Sequence, residues 1–379
     1  MLALGRVVGL PRPKLSQAVP HLLQVHKLLE QKSRLASAHS RAGVLKARSL
    51  STQLGIQVTD YKKDSLDGLV LKELAFPEAG PGQAVVRLVL RPINPVDLEL
   101  LHGAKAANIK LPYIPGFEGL GIVEQPAAGS EKFEKGQRVV GLSFAGPGAW
   151  QQYVAVPESQ LIAVPASVSD EAAAQFYVNP ITAYGLLEAL AVPKGEWLLQ
   201  TAAGSVLGRL LITLAKREGV KTINVVRRSA QKDELLTLGA DEVIATDEED
   251  IPERVAQITD GKGAWAAANP IGGDITAQLV AAVRSEGTVH LYGTLSGDTA
   301  IAPIWDLIGG KTLTGFSMPK WIRGLGDERR FATALAVMDL IEQKVIEPLT
   351  GPTYKLQDFK AAIKASTEVG RGGKILLSG

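Results

Sequence analysis

The 379-residue sequence contains no cysteine and only five histidines. Disulfides, thiolate metal sites and a cysteine nucleophile are therefore excluded. Three of the histidines, His21, His26 and His39, lie near the N-terminus, which leaves His102 and His290 for the rest of the chain. Zinc chemistry normally draws three or four ligands from Cys, His and carboxylates, so a conventional zinc set is not available and no metal site is expected. Long apolar runs are missing too: no stretch approaches the ~20 uninterrupted apolar residues that a membrane-spanning helix needs. Glycine and proline are scattered and form no low-complexity blocks. With 46 % hydrophobic and 21 % charged residues the composition is that of a soluble globular protein. Two domains are expected, because single cores stop growing at roughly 250–300 residues.

Acids are nearly absent from the first 52 positions, where Glu30 stands against nine Lys and Arg. The whole chain holds 41 basic and 39 acidic residues, so the remainder has a net charge of −6 beneath a formal total of +2. An acid-poor segment rich in Arg, Ser and Leu has the composition of an organellar transit peptide, imported as a cationic amphipathic helix and then removed. Residues 1–52 are accordingly set aside from the fold, with Ala47-Arg48-Ser49-Leu50-Ser51-Thr52 reading as a mitochondrial processing site. A chloroplast peptide would carry more Ser and Thr and less helical Leu/Arg periodicity, so the mitochondrial matrix is the expected destination. The acidic balance of the remainder, without a basic stripe, argues against nucleic acid as a partner.

From about Gln53 to Val164 the apolar runs are of strand length: Val85–Leu90, Gly119–Glu124 and Arg138–Leu142, separated by turns such as Pro77–Gly82 and Glu134-Lys135-Gly136. This pattern predicts a small, mostly antiparallel β domain. Near Asp170 the rhythm changes. Helical spacing over 170–176 and 181–190 precedes a regular alternation of short strands (196–201, 222–226, 242–244, 264–268, 288–292) with helices (205–218, 230–238, 251–258, 274–284). Strands alternating with helices of 10 to 15 residues specify βαβ crossovers and a doubly wound parallel sheet of the Rossmann type, here about 176–322. A further helix (328–344) and a last strand, Lys374–Leu377, are expected to return the chain to the β domain, which would then comprise 53–175 and 323–379.

Two loops of the α/β region carry chemistry. The first βα turn reads Gln200-Thr201-Ala202-Ala203-Gly204-Ser205-Val206-Leu207-Gly208. Small residues at a strand's mouth let the backbone approach a pyrophosphate, and the following helix offers free N–H groups. The full G-x-G-x-x-G is not present. The end of the second strand says more. Rossmann domains that use NAD place an acid roughly 20 residues past the glycine loop to hold the ribose 2′-hydroxyl. At that distance from Gly208 this chain has Arg227-Arg228-Ser229. Two guanidiniums and a hydroxyl suit a 2′-phosphate, which a carboxylate would repel, so the cofactor read from this loop is NADPH.

In order along the chain, Asn94-Pro95-Val96-Asp97, Pro115-Gly116-Phe117-Glu118-Gly119, Val178-Asn179-Pro180-Ile181-Thr182-Ala183-Tyr184, the turn above, Asn224–Arg228, Leu238–Ile244 and Gly315-Phe316 resemble the medium-chain dehydrogenase/reductase superfamily. Its zinc members have Gly-His-Glu where this chain has Gly116-Phe117-Glu118, so the resemblance is to the zinc-lacking branch of quinone and enoyl reductases. Within that branch Asn179–Tyr184, Lys221–Arg227 and Gly315–Trp321 resemble the mitochondrial trans-2-enoyl-CoA (enoyl-acyl-carrier-protein) reductases. The resemblance implies an α/β fold in which a GroES-like, β-rich catalytic domain joins the Rossmann domain, and a homodimer formed through the sheet edge of the nucleotide domain. It also implies that Asn179, Gly204, Ser205, Val206, Leu207, Arg227, Arg228, Ser229, Tyr292, Gly293, Thr294, Leu295, Phe316, Ser317, Met318, Pro319 and Lys374 line the NADPH site.

Two departures stand out. Val206 occupies a position where the family has a small residue, and Lys105 in His102-Gly103-Ala104-Lys105 stands where these reductases have the tyrosine proposed as proton donor. Lys105 and Tyr113 are the remaining weak catalytic candidates; for both, a structural or solvated role is the simpler reading. Three functions follow in order of preference. The first is NADPH-dependent reduction of 2-enoyl thioesters on coenzyme A or acyl-carrier protein, within mitochondrial fatty-acid synthesis. The second is reduction of a quinone or 2-alkenal, a conjugated acceptor that can take its proton from water. The third is a non-catalytic NADPH-binding protein.

Overall fold

The short apolar runs between turns form strands and the longer periodic stretches form helices in a computed structural model that describes residues 51–379 except 63–64, 104–108, 145, 369 and 371. The transit-peptide segment up to Leu50, and Lys105, lie outside the described residues. The chain begins with β1 (Thr52–Val58), β2 (Leu69–Ala75), β3 (Gln83–Pro92), α1 (Pro95–Leu101), β4 (Leu120–Gln125), β5 (Arg138–Gly141), β6 (Tyr153–Pro157), β7 (Leu161–Ala163) and α2 (Asp170–Ala174). It continues through α3 (Val178–Leu190), β8 (Trp197–Gln200), α4 (Val206–Glu218), β9 (Lys221–Val226), α5 (Lys232–Leu238), β10 (Glu242–Ala245), α6 (Ile251–Ile258), β11 (Ala264–Asn269), α7 (Ile275–Ala282), β12 (Val283–Leu291), α8 (Ile304–Ile308) and β13 (Thr312–Gly315). The last elements are α9 (Met318–Gly324), α10 (Gly326–Glu342), β14 (Thr350–Lys355), α11 (Phe359–Thr367) and β15 (Lys374–Ser378). Two units emerge from the described chain: one of Tyr184–Gly204 with Leu211–Ala332, the other of residues 51–183 with Ser205–Leu210 and Thr333–Gly379.

In the β-rich unit one sheet runs β14-β15-β3-β4-β5-β7, with β6 also on β3, and β1 pairs with β2 as a separate antiparallel ribbon. The last strand does return: Leu376 lies opposite Pro92 and Leu377 opposite Arg91, antiparallel to β3. β3 is apolar on both faces because β15, β4 and β6 pair with it and the core of Ile56, Leu88, Phe144, Trp150, Leu161 and Leu356 fills around it. Thr52 already pairs with Ala75, so folded structure starts on the last residue of the segment read as a transit peptide.

The α/β unit holds six strands in the order β10-β9-β8-β11-β12-β13, all parallel. Numbered along the chain this is 3-2-1-4-5-6, the Rossmann order, with its reversal between β8 and β11. The inner strands are mostly buried, and Leu199, Ile223, Val225, Ile244, Ala267 and Val289 lie in one core cluster.

Several elements differ from the sequence expectations. The helix expected to reach Arg284 ends at Ala282, and Val283 already pairs with Ala264 in β12. The ladder then skips to Thr288 opposite Ala266, with Glu286 at φ 59° between them, a bulge that no apolar period announces. β13 and β14 have no strand-like apolar alternation, because both are sheet edges. Pro352 sits in β14 where the register shifts, a position that needs no ladder N–H.

Candidate functional site

Because β8 to β13 run the same way, the loops that follow them leave one edge of the sheet. At the reversal point Thr201 Oγ1 donates to Asn269 Oδ1 at 2.8 Å, and the Asn269 amide donates to Thr276 Oγ1 at 3.1 Å. This buried chain joins the ends of β8 and β11 to the start of α7. The turn after β8 is small and strained: Ala202 holds φ 50°, a left-handed conformation that costs a non-glycine residue roughly 1 kcal/mol. At Gly204 an added Cβ would stand 2.8 Å from Gln231 Nε2, so the position needs glycine unless Gln231 moves. Ser205 Oγ accepts the Gly208 N–H at 3.1 Å and so caps the first turn of α4. Val206, the larger residue at the family's small position, is buried, as a core side chain at the head of α4.

At the end of β9, Arg227 and Arg228 are exposed, and among the described residues neither guanidinium forms an ion pair. Ser229 follows in a 3-10 turn (Ser229–Gln231), with its N–H donated to both carboxylate oxygens of Asp247 at 3.1 Å. After β12 come Tyr292, Gly293, Thr294 and the exposed Leu295. A Cβ on Gly293 would meet the Pro270 carbonyl at 2.7 Å, so the β11 and β12 loops touch backbone to backbone. Burial raises the pKa of Tyr292 and lowers that of His290, which keeps both neutral at physiological pH. After β13, Phe316 stacks obliquely on Trp321 (centroids 6.2 Å apart), and Ser317 caps α9, which begins Met318-Pro319.

The remaining candidates belong to the β-rich unit. Lys374, at the start of β15, is buried, and its Nζ donates to Asn94 Oδ1 at 2.8 Å. The Asn94 amide donates to Glu118 Oε1 at 2.8 Å, and the Asn94 N–H donates to Asp97 Oδ2 at 2.7 Å. Glu118 Oε2 accepts the N–H groups of Tyr177 and Val178 at 2.7 and 2.8 Å, so a carboxylate 60 residues distant caps the start of α3. Asn179, the second residue of α3, is 7 % exposed, yet its Nδ2 has no hydrogen-bond partner among the described residues. The approach to Glu118 depends on Gly116 at φ 100°, where a Cβ would lie 2.4 Å from Trp150 Cδ1. Tyr113 is half-buried and bridges to Val58, and its hydroxyl is buried without a partner among the described residues. Burial, reinforced by Tyr61 and Asp97, raises its pKa, which weakens it as an acid. No group of three His, Asp or Glu that could hold a metal occurs among the described residues.

The cluster of Asn94, Asp97, Glu118 and Lys374 escaped the sequence reading, although Asn94-Pro95-Val96-Asp97 has the spacing of a helix cap. Asp97 is fully buried and its Oδ1 has no partner among the described residues. Burial, with Glu118 nearby, pushes its pKa up to about 7, against the lowering effects of Asn94 and Lys374. A carboxyl group that binds its proton more tightly when folded costs stability as pH rises from its unfolded pKa near 3.9 through 7. Asp97→Asn is therefore expected to gain a few degrees of Tm relative to the wild type between pH 5 and pH 8. A Tm difference that is constant over this range would refute the assignment.

Two families match the chain: Alcohol dehydrogenase GroES-like domain over residues 80–166, and Zinc-binding dehydrogenase over 206–339. The chain is 28 % identical to the mitochondrial enoyl-[acyl-carrier-protein] reductase of Dictyostelium discoideum, covering 87 % of this chain and 96 % of that one. It is 30 % identical to the Bos taurus enzyme of the same name, covering 79 % and 81 %. Among solved structures, a Bacillus thuringiensis protein assigned as an NADPH:quinone reductase superposes with a TM-score of 0.81 at 32 % identity, over 86 % of this chain and 99 % of that one. The strand order, the helix-capping glutamate in the zinc enzymes' Gly-His-Glu position and these likenesses agree, and the chain belongs to the medium-chain dehydrogenase/reductase superfamily.

Proposed function

We propose that the chain catalyses NADPH-dependent reduction of the C=C bond of 2-enoyl thioesters on coenzyme A or acyl-carrier protein. The observation that carries the cofactor half is the pair Arg227 and Arg228, unpaired among the described residues at the end of β9. The donor set fits a dinucleotide in two further respects: the unpartnered buried amide of Asn179, and a backbone turn at Gly293 with no room for a side chain. In this reading Gly204–Leu207 receive the pyrophosphate, Arg227–Ser229 the 2′-phosphate, and Tyr292–Leu295 with Phe316–Pro319 flank the nicotinamide half. Asn179 donates to the cofactor, and Lys374 holds Asn94. When bound, NADPH would supply a hydride to the β-carbon, and the enolate so formed takes its proton at the α-carbon from water or from an acid. The protein's share is to position the acceptor, exclude water and stabilise negative charge on the thioester oxygen. Lys105, in the family's tyrosine position, lies outside the described residues and has no assigned part in this reading, its simpler role being that of a solvated lysine.

The thioester half rests on the relatives' names. A quinone or 2-alkenal acceptor is the second reading, favoured by Lys105 in place of the tyrosine and by the Bacillus thuringiensis likeness. Residues 1–52 direct the chain to the mitochondrial matrix in either case. Two copies pair through the β13 edge, beside which α8 exposes Ile304, Ile308 and Trp305, the last 78 % accessible.

Three measurements follow. NADPH oxidation with crotonyl-CoA is expected to exceed that with a naphthoquinone at least tenfold in kcat/KM. The reverse ranking establishes the second reading, and no turnover with either, NADPH binding intact, leaves a non-catalytic protein. Replacing Arg227 and Arg228 together by Ala is expected to weaken NADPH binding more than tenfold and NADH binding less than threefold, since charged hydrogen bonds contribute ~1.5–3 kcal/mol each; equal wild-type affinities for the two nucleotides would sink the idea. Sedimentation equilibrium is expected to show a dimer that Trp305→Glu converts to monomer, and a dimer untouched by the substitution would place the interface elsewhere.

A further inference from the structure

Four acids follow β10 in succession: Asp247, Glu248, Glu249 and Asp250. Their turn is pinned beside the end of β9, because the Thr246 N–H donates to the Val226 carbonyl at 3.0 Å. Three of the four are engaged elsewhere. Glu249 pairs with Lys232 at 2.6 Å and accepts the Ala245 N–H at 2.9 Å, Glu248 stands 3.6 Å from Lys232, and Asp250 caps α6 through the Glu253 N–H at 3.0 Å. Asp247 alone turns toward the arginine loop. Its carboxylate takes the Ser229 N–H with both oxygens and forms no ion pair with Arg227 or Arg228.

We propose that Asp247 is a resident competitor at the 2′-phosphate site, holding the Ser229 N–H that a 2′-phosphate would accept and so setting how strongly the Arg227–Arg228 pair discriminates NADPH from NADH. The inference rests on the NADPH reading above. A 2′-phosphate seated on the two guanidiniums is adjacent to Ser229 in the chain, so it competes with Asp247 for that N–H and is repelled by its charge. A ribose 2′-hydroxyl is uncharged and is not repelled. Asp247 therefore weakens binding of the phosphorylated nucleotide selectively, and it does so for the reduced and oxidised forms alike, which favours release of product.

The test is calorimetric titration of the purified protein with adenosine 2′,5′-bisphosphate and with 5′-AMP, which report on this end of the site without any acceptor or turnover. The wild type is expected to prefer the bisphosphate. Asp247→Asn keeps an oxygen for the Ser229 N–H but removes the charge, and is expected to tighten the bisphosphate roughly three- to tenfold while 5′-AMP changes less than twofold. Asp247→Ala should tighten it similarly; a fall in affinity for both ligands in this variant, with Asp247→Asn unchanged, would reduce Asp247 to a turn anchor and overturn the proposal. Weaker 5′-AMP binding by Asp247→Asn would make it a ribose ligand and overturn it equally. No preference for the bisphosphate in the wild type would remove the arginine site itself, an outcome distinct from the other two.

Discussion

The common direction of six strands is the constraint on which the α/β unit depends. Parallel strands need a crossover helix each, and a crossover returns the chain to the same end of the sheet every time. The turns at Ala202–Gly204, Arg227–Ser229, Thr246-Asp247, Tyr292–Leu295 and Phe316–Pro319, separated by up to about a hundred residues, therefore emerge along one edge. The strand order reverses between β8 and β11, so the helices after them lie on opposite faces and their loops diverge. The Thr201–Asn269 hydrogen bond ties the two strand ends where the loops part. Ala202 keeps its left-handed φ beside this point, strain that persists because the surrounding bonds determine it.

The β-rich unit is organised around a different kind of interaction, a buried polar hub. Asn94 uses its N–H, side-chain amide and side-chain carbonyl on Asp97, Glu118 and Lys374 in turn. These bonds join α1, the loop before β4, the start of α3 and β15. Burying two acids and one lysine is costly unless each is hydrogen-bonded, and Glu118 is satisfied by three donors. Such a network is worth more in specifying one arrangement than in net stability, since any partner removed leaves another charge buried and unpaired. Glu118, next to Phe117, caps the start of α3.

Charge on the α/β surface is divided unevenly. The acids after β10 are taken up by Lys232, by backbone N–H groups and by the cap of α6, while Arg227 and Arg228 are left unpaired among the described residues. A surface ion pair is worth little, under about 1 kcal/mol, so leaving two guanidiniums without one costs the fold almost nothing.

Period and punctuation alone determined the β-to-α/β succession, because burial of one face or both imposes a spacing that any apolar residue reports. Position 227 holds an arginine where the spacing from the first turn would put an acid in an NAD enzyme, a comparison of sequence alone. The edges β13 and β14 and the bulge in β12 were not legible: an edge strand is held by one neighbour's ladder, and its side chains need no alternation. Neither was the whole Asn94 hub: 94 and 97 have the spacing of a helix cap, but Glu118 joins them only in the folded unit and Lys374 only when β15 pairs with β3. Lys374 illustrates the division. The family resemblance implies a ligand-site place for it, and only the antiparallel return of the last strand, a contact of very long sequence separation, decides that its ammonium ends on Asn94.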